Sequence, residues 1–372
     1  MAHRVIMHAD LDYFYAQCEE NLNPSIAGKP VVVCVYSGRT LESGVVSSCN
    51  YEARKLGVRA GIPIGRAKKV LGSLEGSFLP MNRPLYEQVS DRIMDLLKEH
   101  ADSFEKVGID EAYLDISSST SRDFEQAREV ALKLKEEVLS REQITCSIGI
   151  APNKLLAKIA SDYEKPDGLT LVRPGEVKQF LAKMSVSRIP GVGKKVEEKL
   201  TKLRVRTIDE LSELSATLLI ETFGRRLGNY LFRTARGEDD EPVRGRERLT
   251  QLSRIGTLRS NTRDLSEIAP LIEELAVSAT RKLGENALNC RSIGIIAILD
   301  DLSIHSKTKT LETLTSDETI IKQSSRELIE YFLQSTPNAI LRRVGVKLSG
   351  LSSRRGQRHI VEFLNESTPT DQ

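Results

Sequence analysis

The chain has 372 residues, 40% of them hydrophobic and 28% charged, with a formal net charge of +2, the profile of a folded globular protein of two to four domains. No apolar run approaches the length of a membrane span, and the opening "MAHRVIMHADLD" lacks a signal-peptide pattern, so no membrane association is expected. The five cysteines (Cys18, Cys34, Cys49, Cys146, Cys290) form no CxxC pair and have no histidines at ligand spacing, which argues against zinc or a disulfide framework and points to the cytoplasm.

The predicted elements begin with an apolar strand, Val5-Ile6-Met7, running into Asp10. A helix follows from Tyr13 to about Leu22, with Asp12 placed as its N-cap because aspartate is favoured there. Val31–Val35 is β-branched and bounded by turn residues, hence a strand. Asn50 to Leu56 reads as a helix stopped by Gly57, and Leu85 to His100 as a longer one, with Ile93, Leu96 and Leu97 at helical spacing. A strand is expected to end in "GIDEAYLDI", followed by a helix over 124–139 and the alternating "ITCSIGIAPNK". Residues 174–237 suggest short helices without strands, and "DDEPVRGRERLTQLSR" a linker. Beyond it, strand 252–259, helix 268–283, strands 292–299 and 304–311, helix 320–333 and strand 341–348 spell a β-α-β-β-α-β domain.

Charge is uneven along this order. Residues 1–171 carry 25 acidic against 21 basic side chains, while 172–240 carry 10 against 14 and 241–372 carry 17 against 19. That split suits carboxylate chemistry early in the chain and a polyanion held later. Asp10 and the pair Asp110-Glu111 stand at the ends of apolar strands, where carboxylates are costly unless paired with metal or basic partners. Three hard oxygen ligands from two strands are enough to hold a pair of Mg²⁺ ions, with water and phosphate completing the shells.

"DLDYFYAQCEENLNPSIAGKPVVVCVYSGR", "SSCNYEARKLGVRAGIPIGRAKK", "GIDEAYLDIS" and "SIGIAPNKLLAKIASDYEKPDG", in this order, resemble the Y-family translesion DNA polymerases of the DinB-like type, and the likeness runs through nearly the whole chain. The resemblance implies an α+β multidomain fold. Its parts are a palm with a mixed sheet (1–13 and 83–171), small fingers (14–82) and a helical thumb with a helix-hairpin-helix (172–240). A basic linker (241–252), a little finger (253–350) and a tail (351–372) complete it. It implies low-fidelity, template-directed DNA synthesis past damaged bases, with two Mg²⁺ ions, primer-template DNA and deoxynucleoside triphosphates as partners, a monomeric state, and no stretch left for a proofreading domain.

Carried over residue by residue, Asp10, Asp110 and Glu111 resemble the catalytic metal ligands, joined by the Leu11 carbonyl. Tyr15 resembles the steric gate against a 2′-hydroxyl. Tyr13, Phe14, Ser48 (where a threonine is usual), Tyr51, Arg54 and Lys165 resemble the nucleotide-binding set. Val45 and Cys49 are bulkier than the alanines expected in the roof over the nascent base pair.

"RIPGVGKKVEEKL" matches the turn of a helix-hairpin-helix, in which Gly191 and Gly193 let the backbone approach a phosphate and Lys194 and Lys195 add charge. Arg244, Arg246 and Arg248 in the linker, and the pairs Lys307/Lys309 and Arg343/Lys347 on strands, are the remaining candidates for DNA contact, with Val344, Val346 and Leu348 turned to the core. In the tail, Gln357, Ile360, Phe363 and Leu364 resemble a slightly degenerate sliding-clamp-binding segment, a docking helix being the alternative. Two competing functions remain. A nucleotide cyclase needs neither the hairpin nor the basic C-terminal domain, and a non-catalytic DNA-binding repair factor has no need of the three carboxylates.

Overall fold

In the computed structural model the described residues are 3–40, 42–72, 74–245 and 249–353. They gather into two compact units, one of residues 3–35 and 44–245, the other of 36–43 and 249–353. In chain order the elements are β1 (Ile6–Leu11), α1 (Phe14–Leu22), β2 (Val31–Tyr36), β3 (Gly44–Cys49), α2 (Tyr51–Lys55), α3 (Ile64–Leu71), β4 (Ser77–Pro80), α4 (Arg83–Glu99), β5 (Ser103–Lys106), β6 (Glu111–Asp115) and α5 (Phe124–Glu142). There follow β7 (Cys146–Ala151), α6 (Lys154–Ser161), β8 (Leu169–Leu171), α7 (Val177–Ala182), α8 (Lys194–Lys202), α9 (Ile208–Ser212), α10 (Ala216–Phe223) and α11 (Arg225–Thr234). The last are β9 (Gln251–Thr262), α12 (Leu265–Glu285), β10 (Leu288–Leu299), β11 (Ile304–Thr315), α13 (Glu318–Ser335), β12 (Leu341–Ser349) and β13 (Ser352–Ser353). No described helix is long and apolar enough to cross a membrane.

The first unit is organised by a five-stranded sheet ordered β5-β6-β1-β7-β8, in which β1 lies antiparallel between β6 and β7. Alternation along these strands gives the sheet two different faces. Met7, Ala9, Leu11, Ala112, Leu114, Cys146, Ile148 and Ile150 join Ile93, Leu97, Leu134 and Val138 of α4 and α5 in one apolar core. On the other face His8 and Asp10 lie beside Tyr113 and Glu111 of β6 and Gly149 and Ser147 of β7, under α6. α6 comes close because Gly149 has no side chain: a Cβ there would stand 2.2 Å from the Ala157 carbonyl oxygen and 2.3 Å from the Ser161 nitrogen.

A small sheet, β3-β2-β4, packs with α2 and α3 around Val32, Val46, Ala53, Val58 and Ile64. Asn50 sets the start of α2, its side-chain Oδ1 accepting from the N–H of both Ala53 and Val31 at 3.0 Å. Residues 174–237 form short helices joined by turns, with only an isolated Ser185–Thr207 bridge besides, and close a second core around Ile189, Leu200, Leu211, Leu219 and Leu231.

The second unit is an antiparallel sheet ordered β11-β10-β12-β9 with α12 and α13 over one face, the β-α-β-β-α-β order expected from periodicity. Ile293, Ile295, Val344, Val346 and Leu348 point into its core with Ile272, Ile329 and Phe332.

Three expectations need correction. Tyr13, not Asp12, caps α1, with φ 35° in the left-handed region and no side-chain cap bond. Asp110 and Glu111 do not end a strand: Asp110 closes the turn after β5, and Glu111 opens β6. Lys307 and Lys309 pair with Ile295 and Ile293 and therefore share the helix-covered side of the sheet, whereas Arg343, Gly345 and Lys347 lie on the opposite, open face. Lys309 is paired with Glu327 of α13 at 2.9 Å and Lys307 lies over the Tyr331 ring. β3, β4, β8, β13, α3 and α6 fall outside the predicted elements.

Gly149→Ala is expected to force α6 away from the sheet, lowering stability by about 3 kcal/mol and disturbing every contact that α6 makes. A thermal unfolding midpoint equal to that of the parent protein would contradict this docking.

Candidate active site

Strand register builds the site. Asp10 stands opposite Glu111 on neighbouring strands, and the Leu11 N–H donates to the Asp110 carbonyl at 2.8 Å, so the turn bearing Asp110 is fixed to the end of β1. Asp12 serves this turn rather than the helix. Its carboxylate accepts from Ser147 Oγ (2.8 Å), Thr145 Oγ1 (3.1 Å) and the Asp167 N–H (2.8 Å), which ties the end of β1 to β7 and to the loop carrying Lys165.

Asp10, Leu11, Tyr13, Phe14, Tyr15, Ser48, Tyr51, Arg54, Asp110 and Lys165, all candidates from the sequence, line one open cavity of about 920 Å³. A volume of that order accommodates a nucleotide. Glu111 lies behind this wall, held by Lys158 (2.6 Å) and facing His8 (3.4 Å). Phe14 is buried although it contributes to the cavity wall. Tyr15 is half-buried and stacked on Tyr86, ring centroids 4.5 Å apart at 14°, and the Tyr86 hydroxyl donates to Glu19 at 2.5 Å. The Arg54 guanidinium donates to the Cys49 carbonyl at 3.0 Å and lies 4.8 Å from the Tyr51 ring centroid. Cys49 turns its thiol inward to the Val58 carbonyl, and Val45 is exposed but off the cavity wall.

The electrostatics report carboxylates crowded together. Burial, then the charges of Asp10 and Glu111, push Asp110 above the usual carboxylate range. Burial acts in the same sense on Asp10, but Lys158 and Lys165 outweigh it and hold Asp10 low. The facing His8 ring, opposed by burial and reinforced by Lys158, holds Glu111 down at about 2. Two ammonium groups supply the compensation. Lys158 Nζ lies 2.9 Å from Asp10 and 2.6 Å from Glu111, and Lys165 Nζ lies 2.6 Å from Asp10 and 2.8 Å from Asp162. Lys158 thus marks where positive charge is wanted among hard oxygen donors, and that donor set fits magnesium or a similar cation.

Lys158, His8, Ser161 and Asp162 are absent from the sequence-derived set, as are Lys55 and Arg59 on the cavity wall. Alternation carried one step back from Asp10 would have found His8. Lys158 needed the docking of α6.

The other candidates are dispersed. Gly191 has φ +84° and Gly193 precedes α8, whose first turn carries the exposed Lys194 and Lys195. The Tyr230 hydroxyl fastens this hairpin by donating to the Pro190 carbonyl at 2.6 Å. Arg244 is exposed, its backbone N–H donating to Glu105 at 3.1 Å. Arg246, Arg248, Gln357, Ile360, Phe363 and Leu364 lie outside the described residues.

A catalytic sheet presenting paired carboxylates to a basic, nucleotide-sized cavity, together with a hairpin suited to phosphate, defines a nucleotidyl-transferring polymerase. The comparisons agree. Residues 9–162 match the impB/mucB/samB family, 187–239 the thumb domain of DNA polymerase-iota, and 250–360 the impB/mucB/samB C-terminal domain. The chain is 40% identical to DNA polymerase IV 1 of Methanosarcina mazei over 98% of its own length and all of the relative's. It is 43% identical to DNA polymerase IV of Metallosphaera sedula, over 94% and 97%. Among solved structures it resembles a Y-family DNA polymerase chimera of Dbh (TM-score 0.88, 39% identity, 94% of this chain and 100% of that one). It also resembles the insertion ternary complex of Dbh DNA polymerase (TM-score 0.68, 39% identity, 94% and 100%). The chain therefore belongs to the Y family of translesion DNA polymerases and is a low-fidelity, DNA-directed DNA polymerase.

Adjacent carboxylates should respond to neutralisation with opposite signs. The raised Asp110 is a cost in its ionised form, so Asp110→Asn is expected to raise the unfolding temperature in chelator at pH 7. The depressed Glu111 contributes stability that is full above the ordinary glutamate value of 4.5 and is lost as pH falls toward about 2. Glu111→Gln should accordingly be less stable than the parent at pH 7 and converge with it in acid. Shifts of the same sign at pH 7 would contradict the charge distribution described.

Proposed function

We propose that the protein joins deoxynucleotides to a primer 3′-hydroxyl through Asp10, Asp110 and Glu111, which hold two Mg²⁺ ions with the Leu11 carbonyl. The observation that carries this reading is the opposition of Asp10 and Glu111 across β1 and β6, with Asp110 fixed beside them at the rim of the cavity. Bound there, divalent cations stabilise the attacking and leaving oxygens of an in-line phosphoryl displacement.

The remaining roles follow from charge and shape. Arg54 offers a planar fork and Lys165 a compact charge to the triphosphate, with Tyr51 and Ser48 as hydroxyl donors. The backbone of Tyr13 and Phe14, at the start of α1, adds N–H groups suited to phosphate oxygens. With a divalent cation and a triphosphate bound, Lys158 and Lys165 would be free to leave Asp10 and Glu111, Lys165 turning to phosphate oxygens. Tyr15, braced from behind by Tyr86, closes the space that a ribose 2′-hydroxyl would need.

Primer-template DNA is the second partner, as it is for the polymerases that this chain resembles. We assign residues 1–13 and 83–171 to the palm, 14–82 to the fingers, 172–240 to the thumb, 241–252 to the linker and 253–350 to the little finger. Gly191, Gly193, Lys194 and Lys195 would meet the backbone phosphates, with Arg244, Arg343 and Lys347 adding charge. Lys307 and Lys309 are left out of this grip because they engage α13. The sequence pattern of 357–364 supports a sliding clamp as a further partner of a cytoplasmic, monomeric enzyme.

Primer extension tests the proposal directly. Replacing Asp110 and Glu111 together by alanine should cut extension by on the order of 10³-fold, the equivalent of several kcal/mol of transition-state stabilisation, and retained extension would refute the metal assignment. Tyr15→Ala should raise ribonucleotide incorporation relative to deoxynucleotide by on the order of 10²-fold; unchanged sugar discrimination would remove the gate.

A further inference from the structure

A buried histidine lies directly behind the carboxylates and has no assigned part in the reaction. His8 is two residues from Asp10 on β1, on the same face, and is fully buried. Its ring packs against Tyr113, centroids 4.6 Å apart. Nδ1 lies 2.8 Å from Ser161 Oγ at the end of α6, a distance that exists only because Gly149 lets that helix settle onto the sheet. Nε2 lies 3.4 Å from Glu111 Oε2 and has no hydrogen-bond partner within normal reach.

A fully buried ring nitrogen left without a partner is costly, and few native structures tolerate one without a functional reason. Here the group facing it is a carboxylate of the site, and a few tenths of an ångström separate the pair from hydrogen-bonding distance. Ser161 fixes the proton's position. With Oγ–H directed to Nδ1, the ring carries its proton on Nε2, aimed at Glu111. The other arrangement, in which Oγ–H serves the Lys158 carbonyl at 2.9 Å, leaves a bare Nε2 lone pair against the carboxylate, which is repulsive. At present Lys158 draws Glu111 Oε2 to 2.6 Å. Once that ammonium is displaced, His8 is the donor that remains behind Glu111.

We propose that His8 is a positioning residue, its Nε2–H fixed by Ser161 and directed at Glu111 so that this carboxylate presents its outer oxygen to a divalent cation. The proposal rests on the reading of Glu111 as a metal ligand. Groups behind a ligating carboxylate commonly govern metal affinity by about 10- to 100-fold.

The test measures Mn²⁺ binding by electron paramagnetic resonance, on the full chain with primer-template DNA and a non-hydrolysable deoxynucleotide. The variants are His8→Phe, His8→Gln, Ser161→Ala and Glu111→Ala, each checked for folding by thermal unfolding. His8→Phe should weaken Mn²⁺ binding about tenfold and raise the Mg²⁺ concentration for half-maximal extension in parallel. His8→Gln, whose amide nitrogen overlays Nε2, should restore most of the loss, and Ser161→Ala should give a smaller weakening than His8→Phe. Should His8→Phe not fold, the contrast between Ser161→Ala and His8→Gln decides. Parent-like Mn²⁺ affinity in Glu111→Ala would bring down the metal-ligand reading itself. A weakened Glu111→Ala beside parent-like His8→Phe and Ser161→Ala would overturn the role of His8 alone. Imidazole nitrogen coupling to bound Mn²⁺ would also overturn it, by making His8 a direct ligand.

Discussion

Mutual repulsion among Asp10, Asp110 and Glu111, and its relief by Lys158 and Lys165, is the interaction on which the site depends. Three carboxylates gathered on two adjoining strands and the turn between β5 and β6 cannot all stay ionised without nearby positive charge. The chain answers with two ammonium groups from the single segment that follows β7, one on α6 and one on the loop after it. Both are soft restraints, placed on flexible stems, which under the proposed function would let a divalent cation take over their carboxylate partners. The sheet is therefore rigid where geometry matters and yielding where charge must change.

That division explains several features that look unrelated. Asp12 spends its whole carboxylate on Ser147, Thr145 and the 167 amide, an investment in holding β1, β7 and the Lys165 loop in one relation. Gly149 removes a side chain so that α6 can bring Lys158 and Ser161 to the same face. Asn50 starts α2 at a fixed place and so aims Tyr51 and Arg54 across the cavity. Each is a backbone device serving side chains that carry charge.

Much of this was legible in the sequence, and the rest was hidden for identifiable reasons. Long periodic segments such as α4, α5 and the six main elements of the second unit declare themselves because their apolar faces repeat over many residues. Asp10, Asp110 and Glu111 could be chosen because each stands as a carboxylate beside an apolar run. Short or mixed elements, β3, β4 and α3 among them, have too few turns of pattern to read. Asp12 misled because its chemistry suits a cap, and only the left-handed backbone at Tyr13 shows that the helix starts one residue later. Lys158 meets Asp10 across 148 positions, a contact made by strand register and helix docking that local spacing does not encode. The same limit applies to Lys307 and Lys309: which side of a sheet a strand's residues take depends on the parity of its pairing, and their parity put them with Ile295 and Ile293.

The stacked pair Tyr15 and Tyr86 has a consequence for what kinds of error this enzyme makes. A ring stacked against a second ring, itself tethered to Glu19, is braced on the side away from the cavity, which suits the gate role proposed for it. Nothing in that clamp senses the shape of the base. If Tyr15 is the gate proposed above, tolerance toward distorted template partners and strictness toward the wrong pentose are set by different parts of the molecule, and one can be relaxed by selection while the other stays intact.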